Sequence, residues 1–131
     1  MDFELMGNII SYLEAANKFY EQRHLKIAEN IKESDTPGAK GKDLEMDFSK
    51  LVHSEGKLSM ATTNSGHIGL GNNNGFKPKV VISKAESSLN GNNIDLTDEM
   101  LKSTENAKDA EIAKDLYKKW FALIKASIGS N

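Results

Sequence analysis

Histidines and a glycine-rich stretch are the places where this sequence could perform chemistry. The three imidazoles, His24, His53 and His67, have neither the i, i+3 nor the i, i+4 spacing with a carboxylate partner that a helical zinc site needs. Residues 69–75 resemble a phosphate loop, but no Gly-Lys-Ser/Thr follows and no strand and helix flank them. No serine lies in a Gly-x-Ser-x-Gly elbow. The sequence therefore predicts no catalytic residue, no cofactor and no metal site, and so no enzyme.

Length and charge narrow the class of protein further. The 131 residues are enough for a single domain, 1–131, with a modest core. The net charge of −2, with mixed signs, argues against a nucleic-acid partner. No apolar run is long enough to span a membrane, and the acidic start does not resemble a cleaved signal peptide. We expect either a cytoplasmic protein or one exported by a route without such a signal.

An amphipathic pattern covers residues 3–34 and predicts one long helix. Apolar residues recur every seven positions on its principal face, at Met6, Leu13, Tyr20 and Ile27. Pro37 ends the pattern because it has no amide hydrogen and disfavours helical geometry at the residue before it. The sequence Thr36-Pro37-Gly38-Ala39 predicts a type II turn in which Gly38 takes the positive φ.

The pattern at residues 97–128 predicts a second long helix. Thr97 is the expected N-cap, and the two acidic residues after it would face the positive end of the helix dipole. Its apolar residues fall on one broad side: Ala113, Tyr117, Trp120, Ile124 and Ile128, widened by Ile112, Leu116, Phe121 and Leu123.

The segment between the helices, 35–95, is rich in glycine and asparagine and is expected to be partly irregular. Lys79-Val80-Val81-Ile82 is its one β-like run. Asn90-Gly91 predicts a tight turn, with a short β-hairpin formed by residues 87–89 and 92–95.

Together these patterns predict a mainly α protein whose two terminal helices form a coiled-coil-like pair. Each helix would be on the order of 45 Å long, and the middle segment is too sparse to cover both apolar stripes. Residues expected to remain uncovered and to need a partner include Tyr12, Phe19, Trp120 and Phe121. This layout is more typical of an assembly subunit than of a catalyst.

Three segments carry a resemblance to flagellar axial proteins. Asn30-Ile31 followed by Asp35-Thr36-Pro37-Gly38 is similar to the phrase that ends their first helix. Residues 60–68 are similar to a Thr-rich segment ending in His, and residues 90–96 to the start of their last helix. The Asp35-Thr36-Pro37-Gly38 motif most resembles that of the FlgB family, the proximal rod proteins of the flagellar basal body. Ala39, the Asp43-Leu44-Glu45-Met46 insertion and Ala110 depart from that family's pattern, as a divergent member would.

The resemblance implies a structural subunit of the periplasmic rod, exported without a cleaved signal by the flagellar type III apparatus. Its partners would be other rod subunits in homo- and hetero-oligomeric contacts, the rod-base adaptor protein and the export gate. The alternatives are another axial protein of the rod or hook type, or a small helical secretion-associated binding protein or chaperone.

Two groups of residues are the candidate functional positions under this interpretation. The first is the assembly and turn motif: Asn30, Ile31, Asp35, Thr36, Pro37 and Gly38. The second is the helix interface: Met6, Leu13, Tyr20, Ile27, Leu116, Tyr117, Trp120 and Ile124.

Overall fold

Two long helices dominate the protein, as the periodicity predicts. The computed structural model describes residues 3–47 and 78–129. Its elements in chain order are helix α1 (Phe3–Lys32), strand β1 (Lys42–Glu45), strand β2 (Lys79–Ile82) and helix α2 (Leu96–Gly129). The segment expected at 60–68, the loop at 69–75 and the imidazoles His53 and His67 lie outside the described residues.

The helices pack antiparallel along their length. Three hydrogen bonds join the helices: Glu99 of α2 bonds to Asn30 of α1, Asn106 to Tyr20, and Tyr117 to Glu14. The residue numbers rise along α2 as they fall along α1. Helix α1 supplies most of the core, with buried residues at Met6, Leu13, Ala15, Ala16, Phe19 and Ile27. The predicted pair of terminal helices is therefore present within one chain. Of the residues expected to remain uncovered, Phe121 is exposed and Tyr12 and Trp120 are half-buried. Phe19 is buried, and its ring meets that of Tyr20 edge to face.

The turn after α1 has the predicted geometry. Gly38 has a φ of 77°, and the amide of Ala39 donates to the carbonyl of Thr36 at 3.2 Å. Helix α1 ends at Lys32, two residues before the expected position, because residues 33–35 already form turns. Proline at the second position of the turn and glycine at the third are the residues this turn type requires.

The strand at 79–82 is confirmed, but the expected hairpin around Asn90-Gly91 is wrong. Strand β2 pairs antiparallel with β1, with Leu44 opposite Val80. Asn90-Gly91 does turn: Gly91 has a φ of 83°, and its amide donates to the carbonyl of Ser88 at 2.9 Å. No strand flanks that turn, because the residues after it bond to the end of α1 and to the loop before β1.

Helix α2 begins one residue earlier than expected, and its cap is Asp95, not Thr97. The Asp95 carboxylate accepts from the amide of Thr97 at 2.9 Å and, at the limit of a hydrogen bond, from that of Asp98 at 3.5 Å. Aspartate ranks at or above threonine as an N-cap, and its charge faces the positive end of the helix dipole.

Candidate functional site

The residues of the predicted turn motif meet at a polar junction between the end of α1 and the start of α2. Asn30 is buried, and its Nδ2 donates to the carbonyl of Lys42 at 2.7 Å and to Oε2 of Glu99 at 3.0 Å. Its Oδ1 accepts from the amide of Lys42 at 3.0 Å. One amide side chain thereby connects α1, β1 and α2. The other motif residues surround the turn: Ile31 is half-buried, whereas Asp35, Thr36, Pro37 and Gly38 are exposed.

Asn92 holds the other side of this junction. It is 4 % exposed, and its Nδ2 donates to three carbonyls at the end of α1, those of Glu33 (2.9 Å), Ser34 (3.0 Å) and Thr36 (2.7 Å). Its Oδ1 accepts from the amide of Ile94 at 2.7 Å. These carbonyls belong to the turn residues that follow α1, so Asn92, which comes from a distant part of the chain, caps that turn.

Asn93 extends the same arrangement toward the sheet. Its Oδ1 accepts from the amide of Gly41 at 2.8 Å, and its Nδ2 donates to the carbonyls of Ser83 and Ala85. The segment that leads into α2 is therefore bonded through two adjacent asparagine side chains to both the turn and β2. The sequence predicts the turn at Asn90-Gly91 and, by resemblance, a motif at 90–96. The side-chain roles have no periodic signal that could reveal them.

An ion pair joins α1 to β1 beside the junction. The Arg23 guanidinium donates to both carboxylate oxygens of Asp43, at 2.8 and 3.0 Å. Burial alone would raise the pKa of Asp43, but the hydrogen bonds from Arg23 and from the Leu44 amide, with the Arg23 charge, hold that pKa below its usual value. The carboxylate is consequently stabilised in its charged form.

An open groove of about 900 Å³ lies along one side of the helix pair. Tyr117 donates to Oε1 of Glu14 at 3.4 Å, and burial raises the pKa of Glu14, with that hydrogen bond opposing the shift. Asn106 is 1 % exposed; its Nδ2 donates to the carbonyl of Tyr20, and its Oδ1 has no protein partner. The ionisable side chains that line the groove are Glu14, Lys18, Tyr20, Glu21, His24, Lys114 and Tyr117. Throughout the described ranges, no three His, Cys, Asp or Glu side chains are grouped to hold a metal ion.

The predicted helix-interface residues divide by burial. Met6, Leu13 and Ile27 are buried, and Tyr20, Tyr117, Trp120 and Ile124 are half-buried. Leu116 is 42 % exposed. The reason is the rotation of α2, which turns Glu99, Asn106 and Ala113 inward, at a spacing of seven residues. Their role in an assembly stays a prediction.

Much of the large apolar surface of α2 lies beside its contact with α1 and remains exposed. Leu101, Ile112, Leu116 and Leu123 fall within roughly 60° of one another at 100° per residue, and we call them the outward stripe. Further exposed apolar residues of α2 are Met100, Phe121 and Ile128, and Phe121 stacks on Tyr117 with ring centroids 5.9 Å apart. On α1, Leu5 and Leu25 are more than half exposed.

Comparisons with known proteins add no assignment. No model of a known protein family matches this sequence, and no curated protein matches it. Neither helix in the described part of the chain has a stretch long and apolar enough to cross a membrane.

Proposed function

We propose that this protein is a structural, non-enzymatic subunit of the proximal rod of the bacterial flagellar basal body, polymerising through its terminal helices. The observation that carries the proposal is the exposure of large apolar side chains on more than one face of the helix pair. Monomeric proteins rarely leave such surfaces in contact with water, and contiguous ones mark interaction sites.

The distribution of these side chains fits a subunit with several neighbours. Helix α2 carries the outward stripe on one side and Phe121 and Ile128 on another, while Leu5 and Leu25 are exposed on α1. A binding protein with one partner needs one such patch. A subunit in an open helical lattice makes head-to-tail contacts through different patches on the same molecule.

The residues of the resemblance support the proposal in a second way, because they determine structure. Asn30 and Asn92 bond the end of α1 to the start of α2, and Pro37-Gly38 forms the turn between them. The side-chain polar atoms of Asn30 and Asn92 are engaged with the protein's own backbone and with Glu99. A motif with this role fixes how the two helices leave the junction, which a repeated lattice contact would require of every subunit.

The partners in this proposal are other rod subunits, the rod-base adaptor protein and the export gate. The protein would reach the periplasmic rod by type III export without a cleaved signal. Both statements rest on the resemblance of residues 30–44, 60–68 and 90–96.

Incorporation into basal bodies tests the proposal. Leu116→Asp places a charge on the outward stripe, and Trp120→Asp places one at a half-buried position of α2 outside that stripe. A desolvated, unpaired charge costs several kcal/mol, so both variants should be made but should fail to assemble, and cells should lose motility. Leu89→Asp is the matched control, because Leu89 is fully exposed in a turn outside the helix pair.

Two results would contradict the proposal. One is normal swimming by the Leu116→Asp strain. The other is absence of the labelled wild-type chain from isolated basal bodies. Recovery of the labelled chain from the cytoplasm, bound to an exported protein, would favour the alternative of a small helical chaperone. Labelling of the hook in place of the proximal rod would favour another axial protein.

A further inference from the structure

The outward stripe of α2 has a different direction from the face that α2 presents to α1. The buried line of α2 consists of Glu99, Asn106 and Ala113, a carboxylate, an amide and a methyl group. At 100° per residue, the outward stripe is centred roughly 110° around the helix from that line. Its four members, Leu101, Ile112, Leu116 and Leu123, are 42 to 59 % exposed. Ile112 and Leu116 also border a small cavity against α1, so the stripe lies at the edge of the helix pair and is covered only in part by the monomer.

The charged residues along the stripe have opposite signs at equal distances on the two sides of Ile112. Leu101 and Leu123 are each eleven residues from Ile112, and Glu105 and Lys119 are each seven residues from it. All five lie within roughly 40° of one another on the helix surface. A rotation of the helix by half a turn about Ile112 therefore exchanges Leu101 with Leu123 and Glu105 with Lys119, while Leu116 takes the position of Lys108.

We propose that the outward stripe binds the same stripe of a second copy of this chain, antiparallel, with Ile112 on the two-fold axis. This arrangement places Leu101 against Leu123 of the other copy at both ends. It also places Glu105 against Lys119 of the other copy twice. A parallel pair in register would instead set Glu105 against Glu105 and Lys119 against Lys119, and like charges at facing positions are unfavourable.

A second pair of charges agrees with the antiparallel orientation. Lys108 and Asp115 lie on the same flank of the stripe, on either side of Ile112, four and three residues away. In a two-fold antiparallel pair each flank meets the same flank of the other copy, so Lys108 of one chain is adjacent to Asp115 of the other. The contact from Leu101 to Leu123 spans 22 residues of helix, roughly 33 Å.

This inference is separate from the proposed function. A two-fold contact uses the same patch on both subunits and closes on itself, whereas a rod needs contacts that continue. The antiparallel pair is therefore a form of the free protein, in which the stripe is covered before any larger assembly. Either statement can fail without the other.

Sedimentation of the full purified chain gives the first test. We expect a dimer that dissociates on dilution, and Ile112→Glu should weaken dimerisation at least a hundredfold because two carboxylates would face each other across the axis. Met100→Glu is the matched control: Met100 is 58 % and Ile112 is 50 % exposed, and Met100 lies on another side of α2. A monomer at all concentrations, an open series of larger species, or equal effects of the two variants would overturn the proposal.

Charge exchange gives the second test. Glu105→Lys or Lys119→Glu alone should weaken dimerisation roughly tenfold, since each turns two attractive pairs into repulsive ones. The double variant should restore it, and so should an equimolar mixture of the two single variants. Glu111→Lys has the same change in net charge at an exposed position off the stripe and should have no effect. The negative charge of Glu105 also helps to raise the pKa of Arg23 on α1. Thermal unfolding of each variant is therefore measured to separate a change in monomer stability from a change in dimerisation. Failure of the double variant to recover would refute the pairing.

Disulfide trapping tests the orientation, and the chain has no cysteine of its own to interfere. After oxidation, a mixture of Leu101→Cys and Leu123→Cys chains should give mixed dimers, and neither variant alone should crosslink efficiently. Efficient crosslinking of each variant with itself would show a parallel pair and overturn the proposal.

Discussion

Replacement of Asn92 tests whether one side chain from the segment before α2 holds the turn that follows α1. Asn92→Ala removes the donor that three carbonyls share and the acceptor of the Ile94 amide. Asn92→Asp keeps the size and the acceptor but replaces the donating NH₂ with a second carboxylate oxygen. The pair of variants therefore separates the loss of a donor from the loss of a side chain.

The size of each effect follows from the surroundings of this side chain. The residue is 4 % exposed, but Glu33 and Thr36 are exposed, so water can replace some of the lost bonds to their carbonyls. We expect Asn92→Ala to lower the free energy of unfolding by about 2–3 kcal/mol. Asn92→Asp should lower it by roughly a further 1–2 kcal/mol, because a negative charge then faces carbonyl oxygens at the negative end of α1.

Urea unfolding followed by circular dichroism measures both variants, with Leu89→Ala in the same turn as the control. The Asp variant carries a second signature. Its folded-state pKa should be raised above the unfolded value, so its deficit relative to Ala should shrink as the pH falls toward about 4, where the protonated carboxyl can donate again. Equal midpoints for Asn92→Ala and Leu89→Ala, or an Asp variant as stable as the wild type at pH 7, would refute the capping role.

Three further changes have defined outcomes. Gly38→Val should destabilise the turn by about 1–3 kcal/mol, and Gly38→Asn should destabilise it by less. The reason is the φ of 77°, which penalises a β-branched residue, because the space around a new Cβ is open. Equal midpoints of the two variants in urea unfolding would contradict this. Glu14→Gln should stabilise the fold increasingly as the pH rises above 4.5. The pKa of Glu14 is raised in the folded state, so the protonated carboxyl favours folding and that contribution is lost when it ionises. A difference in melting temperature between variant and wild type that does not change with pH would argue against this. The pKa of Asp43 is lowered in the folded state, so its ion pair with Arg23 should stabilise the fold above about pH 4. That contribution should be lost as the pH falls further. Unfolding measured across this pH range should show the loss for the wild type but not for Asp43→Asn.

The elements that local rules determine could be predicted from the sequence. Helix α1 follows from a seven-residue apolar pattern, and its end follows from Pro37, so the expected and observed limits differ by two residues. The type II turn follows from Pro-Gly alone, and β2 from a run of β-branched residues. In each case a few neighbouring residues supply the physical cause.

The contacts that join distant segments could not be predicted in the same way. Strand β1 has one apolar residue, Leu44, among three charged ones, and only its pairing with β2 makes it a strand. Asn30 and Asn92 have no sequence pattern that distinguishes them from the other asparagines of the chain. Their roles depend on carbonyls more than ten and more than fifty residues away.

The rotation of α2 shows why the predicted interface residues on this helix differ in burial. The helix-interface residues predicted on α2 are Leu116, Tyr117, Trp120 and Ile124, and of these Leu116 is 42 % exposed. The structure instead turns Glu99 and Asn106 inward, where Asn30 and the carbonyl of Tyr20 are their partners. Buried polar groups of this kind add little net stability, but the bonds from Asn30 to Glu99 and from Asn106 to the carbonyl of Tyr20 form in one register of the helix pair, and any slip would break them. The helix pair is therefore specified by its polar contacts, and the apolar residues that would normally specify it are left for other surfaces.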